Sequence, residues 1–215
     1  MQLLTNPEIV KLFYNKTIQS LPSQFIEVGC FEGSASKHLS QKLSNCKITA
    51  YEANPINFKS FKEDFNKYNI NYVNKAISNF EGETTFYLLS STKKSVKSSL
   101  SKRIKSKKTT PVTVECNTLD TLHYNSKDSY SLWIDAEGHG YEVLAGASKI
   151  LMNTNYILIE VEKQKFWIDQ QLDNDIINFL KTKNFIPIAY DREWTQYNIL
   201  FEHRQLNIAD ETTTS

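Results

Sequence analysis

FIEVGCFEGSASKHLSQKL, residues 25–43, is the stretch that decides the fold. It opens as an apolar run with β-branched Ile26 and Val28, the pattern of a strand buried on both faces. Gly29 and Gly33 then make a tight turn, using two of the six glycines in the chain. From Ser34 onward Ala35, Leu39 and Leu43 recur at helical spacing. A buried strand, a glycine turn and a helix in that order form the opening of a parallel α/β unit.

The alternation continues on both sides. KITAYEA, residues 47–53, reads as the next strand, and Asn54 as an N-cap with Pro55 at the first helical position. Phe58, Phe61, Phe65 and Tyr68 follow at three- and four-residue steps, an aromatic face expected to pack as core on the sheet. NYVNKAIS reads as a third strand; ETTFYLLS and PVTVECN, flanking a basic stretch, read as two more. YSLWIDA and YILIEVE are strands, GYEVLAGASKILMN and DNDIINFLKTKN helices. FIPIAYD and TQYNILFE, linked through Arg192 and Glu193, should close the chain as an antiparallel hairpin. The expected fold is α/β: a mostly parallel sheet with helices on both faces and right-handed crossovers. It forms one domain over residues 1–215, with an N-terminal helical segment (1–23), a core (24–204) and a frayed tail (205–215).

Composition narrows the class. The chain has 215 residues, enough for one sizeable core, with 40% hydrophobic and 23% charged residues. A net charge of +1 argues against nucleic acid as a partner without excluding it. Cys30, Cys46 and Cys116 are odd in number and form no CxxC pair, which disfavours a disulfide framework or a zinc site. The N-terminus carries charges and Pro7, unlike a signal peptide, and the densest apolar run, YILIEV, is too short to span a bilayer. A cytoplasmic protein without a membrane partner is expected.

In open α/β sheets the ligand lies beyond the carboxyl ends of the strands, and the first glycine turn takes part. The turn here is E-x-G-x-x-x-G, neither GxGxxG nor a Walker loop. Glu27 at the strand end would repel a pyrophosphate but attract an ammonium, while the helix start near Ser34 favours a carboxylate. The pair suits a zwitterionic amino-acid moiety such as that of S-adenosyl-L-methionine. Glu52 ends the second strand, where an acid accepts both ribose hydroxyls. Plainer readings remain open: Glu27 as a helix cap, Glu52 as partner of a surface lysine.

A second glycine cluster lies in IDAEGHGYEVLAG, from Ile134. Asp135 and Glu137 end that strand one residue apart and, on extended backbone, face one cleft; the alternative is a helix start decorated with acids. Asp135, Glu137 and His139 are the catalytic candidates, since proton removal from a hydroxyl needs a positioned base. His139 may be read equally as a loop residue, and Glu160 as orienting substrate or balancing lysines. Two carboxylates and a histidine could also hold a divalent metal, ranked below a metal-free site.

These motifs carry a resemblance. FIEVGCFEGSAS, YEANP, NTLDTL, WIDAEGHGYEVLAGA and ILIEVE, in order from Gln24 to Glu162, resemble the FkbM-type S-adenosylmethionine-dependent methyltransferases. The resemblance implies a Rossmann-like class I methyltransferase fold whose seven-stranded sheet has an antiparallel last strand. It implies O-methylation of a sugar, glycan or other small-molecule hydroxyl. By position it puts Glu27, Gly29 and Gly33, with Cys30 and Phe31 between them, on the methionine moiety. Glu52 and Ala53 fall at the ribose, Ala76 near the adenine, and Asp135 beside the cofactor. Two departures matter: Glu27 stands where the family commonly has Asp, and Gly140 where it often has an acid. Methylation of RNA or protein, or a catalytically inactive cofactor-binding module, are the rival readings. The basic segment STKKSVKSSLSKRIKSKK, with cations from Lys93 to Lys108 and no acid, reads as a solvated loop or as a guide for an anionic acceptor.

Overall fold

The computed structural model describes residues 1–206 apart from 90–92, 96, 106, 107, 193 and 194. Most of the expected tail, Lys107 of the basic segment and Glu193 of the hairpin link lie outside the described residues. In chain order the elements are β1 (Gln2–Leu3), α1 (Asn6–Ser20), β2 (Gln24–Val28), α2 (Ser34–Ser40), β3 (Lys47–Tyr51) and α3 (Pro55–Phe65). Then come β4 (Asn71–Val73), β5 (Ala76–Ile77), β6 (Gly82–Leu88), β7 (Thr110–Asn117), α4 (Leu119–His123) and β8 (Tyr130–Ile134). The last are α5 (Gly140–Ala145), β9 (Thr154–Glu162), α6 (Asp173–Thr182), β10 (Phe185–Tyr190) and β11 (Gln196–His203).

The main sheet runs β1-β10-β11-β9-β8-β2-β3-β4. From β9 to β4 all neighbours are parallel, and β11 is antiparallel to both β9 and β10. This is the expected seven-stranded arrangement plus the two-residue β1, which the sequence reading had folded into a helical segment. Every residue of β2 is buried, Gln24 and Glu27 included. The longer strands alternate between faces. Ile157, Ile159, Ile199 and Phe201 pack with Val143, Leu144, Ile176 and Leu180; Leu158 and Leu200 pack on the other side with Ile9, Phe13 and Leu39. Each such fully buried side chain stabilises the fold by roughly 1.5–3 kcal/mol.

Two expectations need correction. NYVNKAIS is not one strand: it leaves the main sheet after β4 and enters a separate three-stranded sheet, β5-β7-β6. The sequence around β6 and β7 carries no sign of this, because a hairpin joined through a long basic segment reads like any two strands. The aromatic stripe of α3 is only partly core. Phe65 is buried and stacks on Tyr72 at 3.7 Å, while Phe58, Phe61 and Tyr68 stay half-buried. The helix lies against β4, a three-residue edge strand too short to cover four rings.

Candidate functional site

The site begins where β2, β3 and β8 end side by side. Gly29 follows β2 with φ +78°, and a Cβ there would stand 1.9 Å from the Asp135 carbonyl oxygen. Glycine is therefore required both for the left-handed turn and for the close approach of the β8 loop. The amides of Gly29 and Cys30 both donate to Tyr51 O, at 2.9 and 3.0 Å, which fixes the turn above the end of β3. Beyond the strand ends opens a cavity lined among others by Gly29, Phe31, Glu52, Asn54, Ala76 and Asp135.

Glu52 is the best-held acid in it. It is 6% exposed; Oε2 accepts from Phe31 N at 3.0 Å and Oε1 from Asn54 N at 2.7 Å. Burial nevertheless pushes its carboxyl up to about 7. Hydroxyls donated by a ligand would favour the ionised form. Asn54 is 1% exposed: its Oδ1 caps α3 by accepting from Ile56 N at 2.9 Å, and its Nδ2 has no partner. A buried carboxylate beside an unpaired buried amide donor is the chemistry a ribose and its neighbouring groups would satisfy. Ala53 and Ala76 line the same cavity, and Phe31 sits edge-on to Phe61 at 5.0 Å.

Three residues expected at the cofactor stand back from the cavity. Glu27 is 4% exposed and turns onto α2, where Oε2 accepts from Ser36 N at 2.9 Å and from Ser36 Oγ. The helix-cap alternative describes that contact, which ties the end of β2 to α2. Gly33 starts α2, and a Cβ on it would stand 2.1 Å from the Phe65 ring, so its smallness serves packing. Cys30 is buried beside Ala50 and Phe65.

At the other end of the cavity lies a cluster of acids. Ile134 pairs with Ile159, so the next positions on β8 and β9, Asp135 and Glu160, are neighbours. One carboxyl oxygen of each lies within 4.8 Å of the other, and burial raises both above the ordinary carboxylate range, Glu160 to about 10. One oxygen each from Asp135, Glu137 and Glu160 lies within 4.8 Å of the others, a spacing that could also accommodate a divalent cation; His139 is not part of that set. Glu137 Oε2 is buried without a partner, and burial next to Asp135 raises the carboxyl to about 8. Glu162, 3% exposed, joins the cluster and is raised by burial to about 7. Sequence reading left Glu160 in a minor role and missed Glu162. Their places depend on strand register, which a motif does not show.

His139 lines the cavity, but its ring is occupied. Nε2 shares a hydrogen bond with Ser78 Oγ at 2.8 Å, and Nδ1 faces Glu142 Oε2 at 3.6 Å. Burial pushes it down to about 4, so it stays neutral at physiological pH and is a weak base. Gly140 stands where the resemblance expects an acid, and a Cβ there would meet Ile159 Cδ1 at 3.0 Å, so that side chain would have to give way.

The described part of the basic segment forms a wall of the cavity rather than a free loop. Ser95, Ser98 and Leu100 line the cavity. Asn57 grips Ser95 twice, at 2.9 and 3.1 Å, and Ser99 Oγ donates to Glu137 O at 2.7 Å. Lys94 lies over Phe61, Lys102 over Tyr87 and Arg103 over Trp167. Asn57 carried no signal in the sequence beyond its place in the first turn of α3.

A switch-point cavity with an acid closing the second strand fits the ribose-binding sites of Rossmann-like folds. The chain belongs to the FkbM methyltransferase family: the model of the methyltransferase FkbM domain matches residues 29–187. The cofactor of that family is S-adenosylmethionine. Solved structures share the fold at low identity. The FkbM methyltransferase of Methylobacillus flagellatus KT matches with a TM-score of 0.56 and 10% identity over 92% of this chain and 50% of its own. Magnesium protoporphyrin IX methyltransferase of Synechocystis PCC 6803, solved with bound SAM, gives 0.52 and 11% over 92% and 77%. An rRNA methylase from Streptococcus thermophilus gives 0.52 and 8% over 91% and 97%. No curated protein matches the chain by sequence. Acceptors as different as a porphyrin and an rRNA, named on one fold, leave the acceptor to be argued from the site.

Proposed function

We propose that the chain is an S-adenosylmethionine-dependent methyltransferase acting on a hydroxyl of a sugar, glycan or other small molecule. One observation carries it: a cavity with Glu52 and the unpaired Asn54 Nδ2 at one end abuts the Asp135–Glu160 carboxyl pair at the other. Glu52 and Asn54 would hold the ribose, Phe31 and Ala76 the adenosine surroundings, and the Gly29 turn the methionine end. When bound, the cofactor supplies an electrophilic methyl whose bond to sulfur breaks with the electron pair left on sulfur. The protein's own part is to position a hydroxyl and take its proton. Positioning alone is worth roughly 7–11 kcal/mol and a base about 10²–10⁴-fold. The Asp135–Glu160 pair, with Glu137 beside it, is the base; His139 supports the loop.

An anionic substituent on the acceptor would find the positive rim of the basic segment. Lys97 and Arg103 already ease the charge of Glu137. Lys97→Glu should then raise KM for a nucleotide-linked sugar and leave that of the free sugar unchanged; an equal KM for both would confine the segment to its role as a wall. No helix among the described residues is long and apolar enough to cross a membrane, and a cytoplasmic location belongs to the same proposal. The test of the acceptor class is S-adenosylhomocysteine release across a panel of glycosides, nucleotide sugars, RNA and protein. Release with glycosides supports the reading, and release only with RNA or protein would replace it.

A further inference from the structure

Glu160 belongs to two sites at once. Through Asp135 it reaches the cofactor cavity, and on its other side it lines a separate shallow groove with Asn6, Asp191, Arg192, Gln196 and Asn198. The groove lies at the carboxyl end of β9, between the start of α1, the end of β10 and the start of β11. Its geometry is fixed by Asp191, 5% exposed. Asp191 Oδ2 accepts from Asn6 Nδ2 at 2.9 Å and Asn198 Nδ2 at 2.8 Å, and its Oδ1 accepts from Asn198 N at 2.7 Å. Both asparagine carbonyls remain outside that network. Gln196 Nε2 donates to Glu160 Oε2 at 2.7 Å and sets the plane of the carboxyl.

We infer that this groove is the acceptor site and that it takes a polyhydroxylated molecule, with the reacting hydroxyl on Glu160 of the Asp135–Glu160 pair. The inference rests on the methyltransferase reading above and adds the place and chemistry of the acceptor. Among the described residues, three carboxamides, two carboxylates and a guanidinium line the groove together with Tyr197. Vicinal hydroxyls can both donate to and accept from such groups. As the acceptor oxygen takes the methyl and the methyl–sulfur bond breaks with its electron pair left on sulfur, the hydroxyl proton passes to the pair, in which Asp135 is the carboxylate and Glu160, raised to about 10, the acid. Gln196 and Asn198 are positioning residues.

Saturation-transfer NMR on the S-adenosylhomocysteine-loaded protein tests this with three probes: methyl α-D-glucopyranoside, myo-inositol and catechol. At least one of the two polyols should receive saturation. Asn198→Ala and, as a milder second variant, Gln196→Ala should weaken that binding about tenfold, the loss of one good hydrogen bond. Both variants should hold S-adenosylhomocysteine as tightly as the parent. Binding of catechol alone, of no probe, or of a polyol equally well in both variants would overturn the inference. Failure of the parent protein to bind S-adenosylhomocysteine would instead remove the methyltransferase reading beneath it.

Discussion

Glu52 and Glu160 stand at the carboxyl ends of neighbouring parts of one sheet and are treated in opposite ways. Each oxygen of Glu52 accepts a backbone amide, from Phe31 and from Asn54, in a pocket with a spare donor beside it. Glu160 has one side-chain donor, Gln196, and faces Asp135, with Glu137 and Glu162 adding to the negative field. Fixed backbone donors make a site for holding a neutral ligand in one pose. Crowded carboxyls raised by burial suit the movement of a proton. Under the proposed function the two ends of the cavity serve binding and proton transfer, and they should fail separately.

The largest effect is expected where both ends meet. Gly29→Ala puts a methyl on the Asp135 carbonyl at a positive φ, so destabilisation of roughly 4 kcal/mol or more is predicted, read by denaturant unfolding. A near-native midpoint would mean that the β2 and β8 ends are not locked together. Next comes Asp135→Asn, which keeps the shape and removes the charge. Turnover should drop about 10²–10⁴-fold while cofactor affinity stays within a few-fold. Wild-type turnover would take the base away from this end.

The smallest effect sharpens the comparison through pH. Glu27, Glu52 and Glu162 are raised by burial to about 7 and Glu137 to about 8. An acid raised in the folded state binds more protons there than in the unfolded chain, so stability falls as pH rises through the folded value. His123 and His139, both lowered by burial to about 4, act in the opposite sense but only below their ordinary value of 6.5. The cofactor-free protein should therefore lose stability between pH 6.5 and 8.5, by about 2–4 °C in Tm for each kcal/mol. Thermal scans showing a rising Tm across that window would contradict the buried state of these acids.

How much of this was legible depended on distance along the chain. The β2 turn, the Asn54 cap and the placement of Glu52 are local, and short-range rules found them. The turn of Glu27 onto Ser36 was an open alternative, because a strand-end acid can face either the helix or the cleft. The register that joins Asp135 to Glu160 was not readable, nor was the groove in which Asn6 meets Asn198 through Asp191. Those contacts span most of the chain and follow from strand order. The separate β5-β7-β6 sheet was hidden for the same reason. Its strands have ordinary patterns, and only their partners are unusual.

The most direct test of the account is titration calorimetry of S-adenosylhomocysteine into the parent protein and into Glu52→Gln. The account predicts saturable one-to-one binding by the parent and a loss of about 10–100-fold in the variant, the worth of charge-assisted hydrogen bonds to one carboxylate. No heat of binding with the parent, or equal affinity in the two proteins, would contradict it.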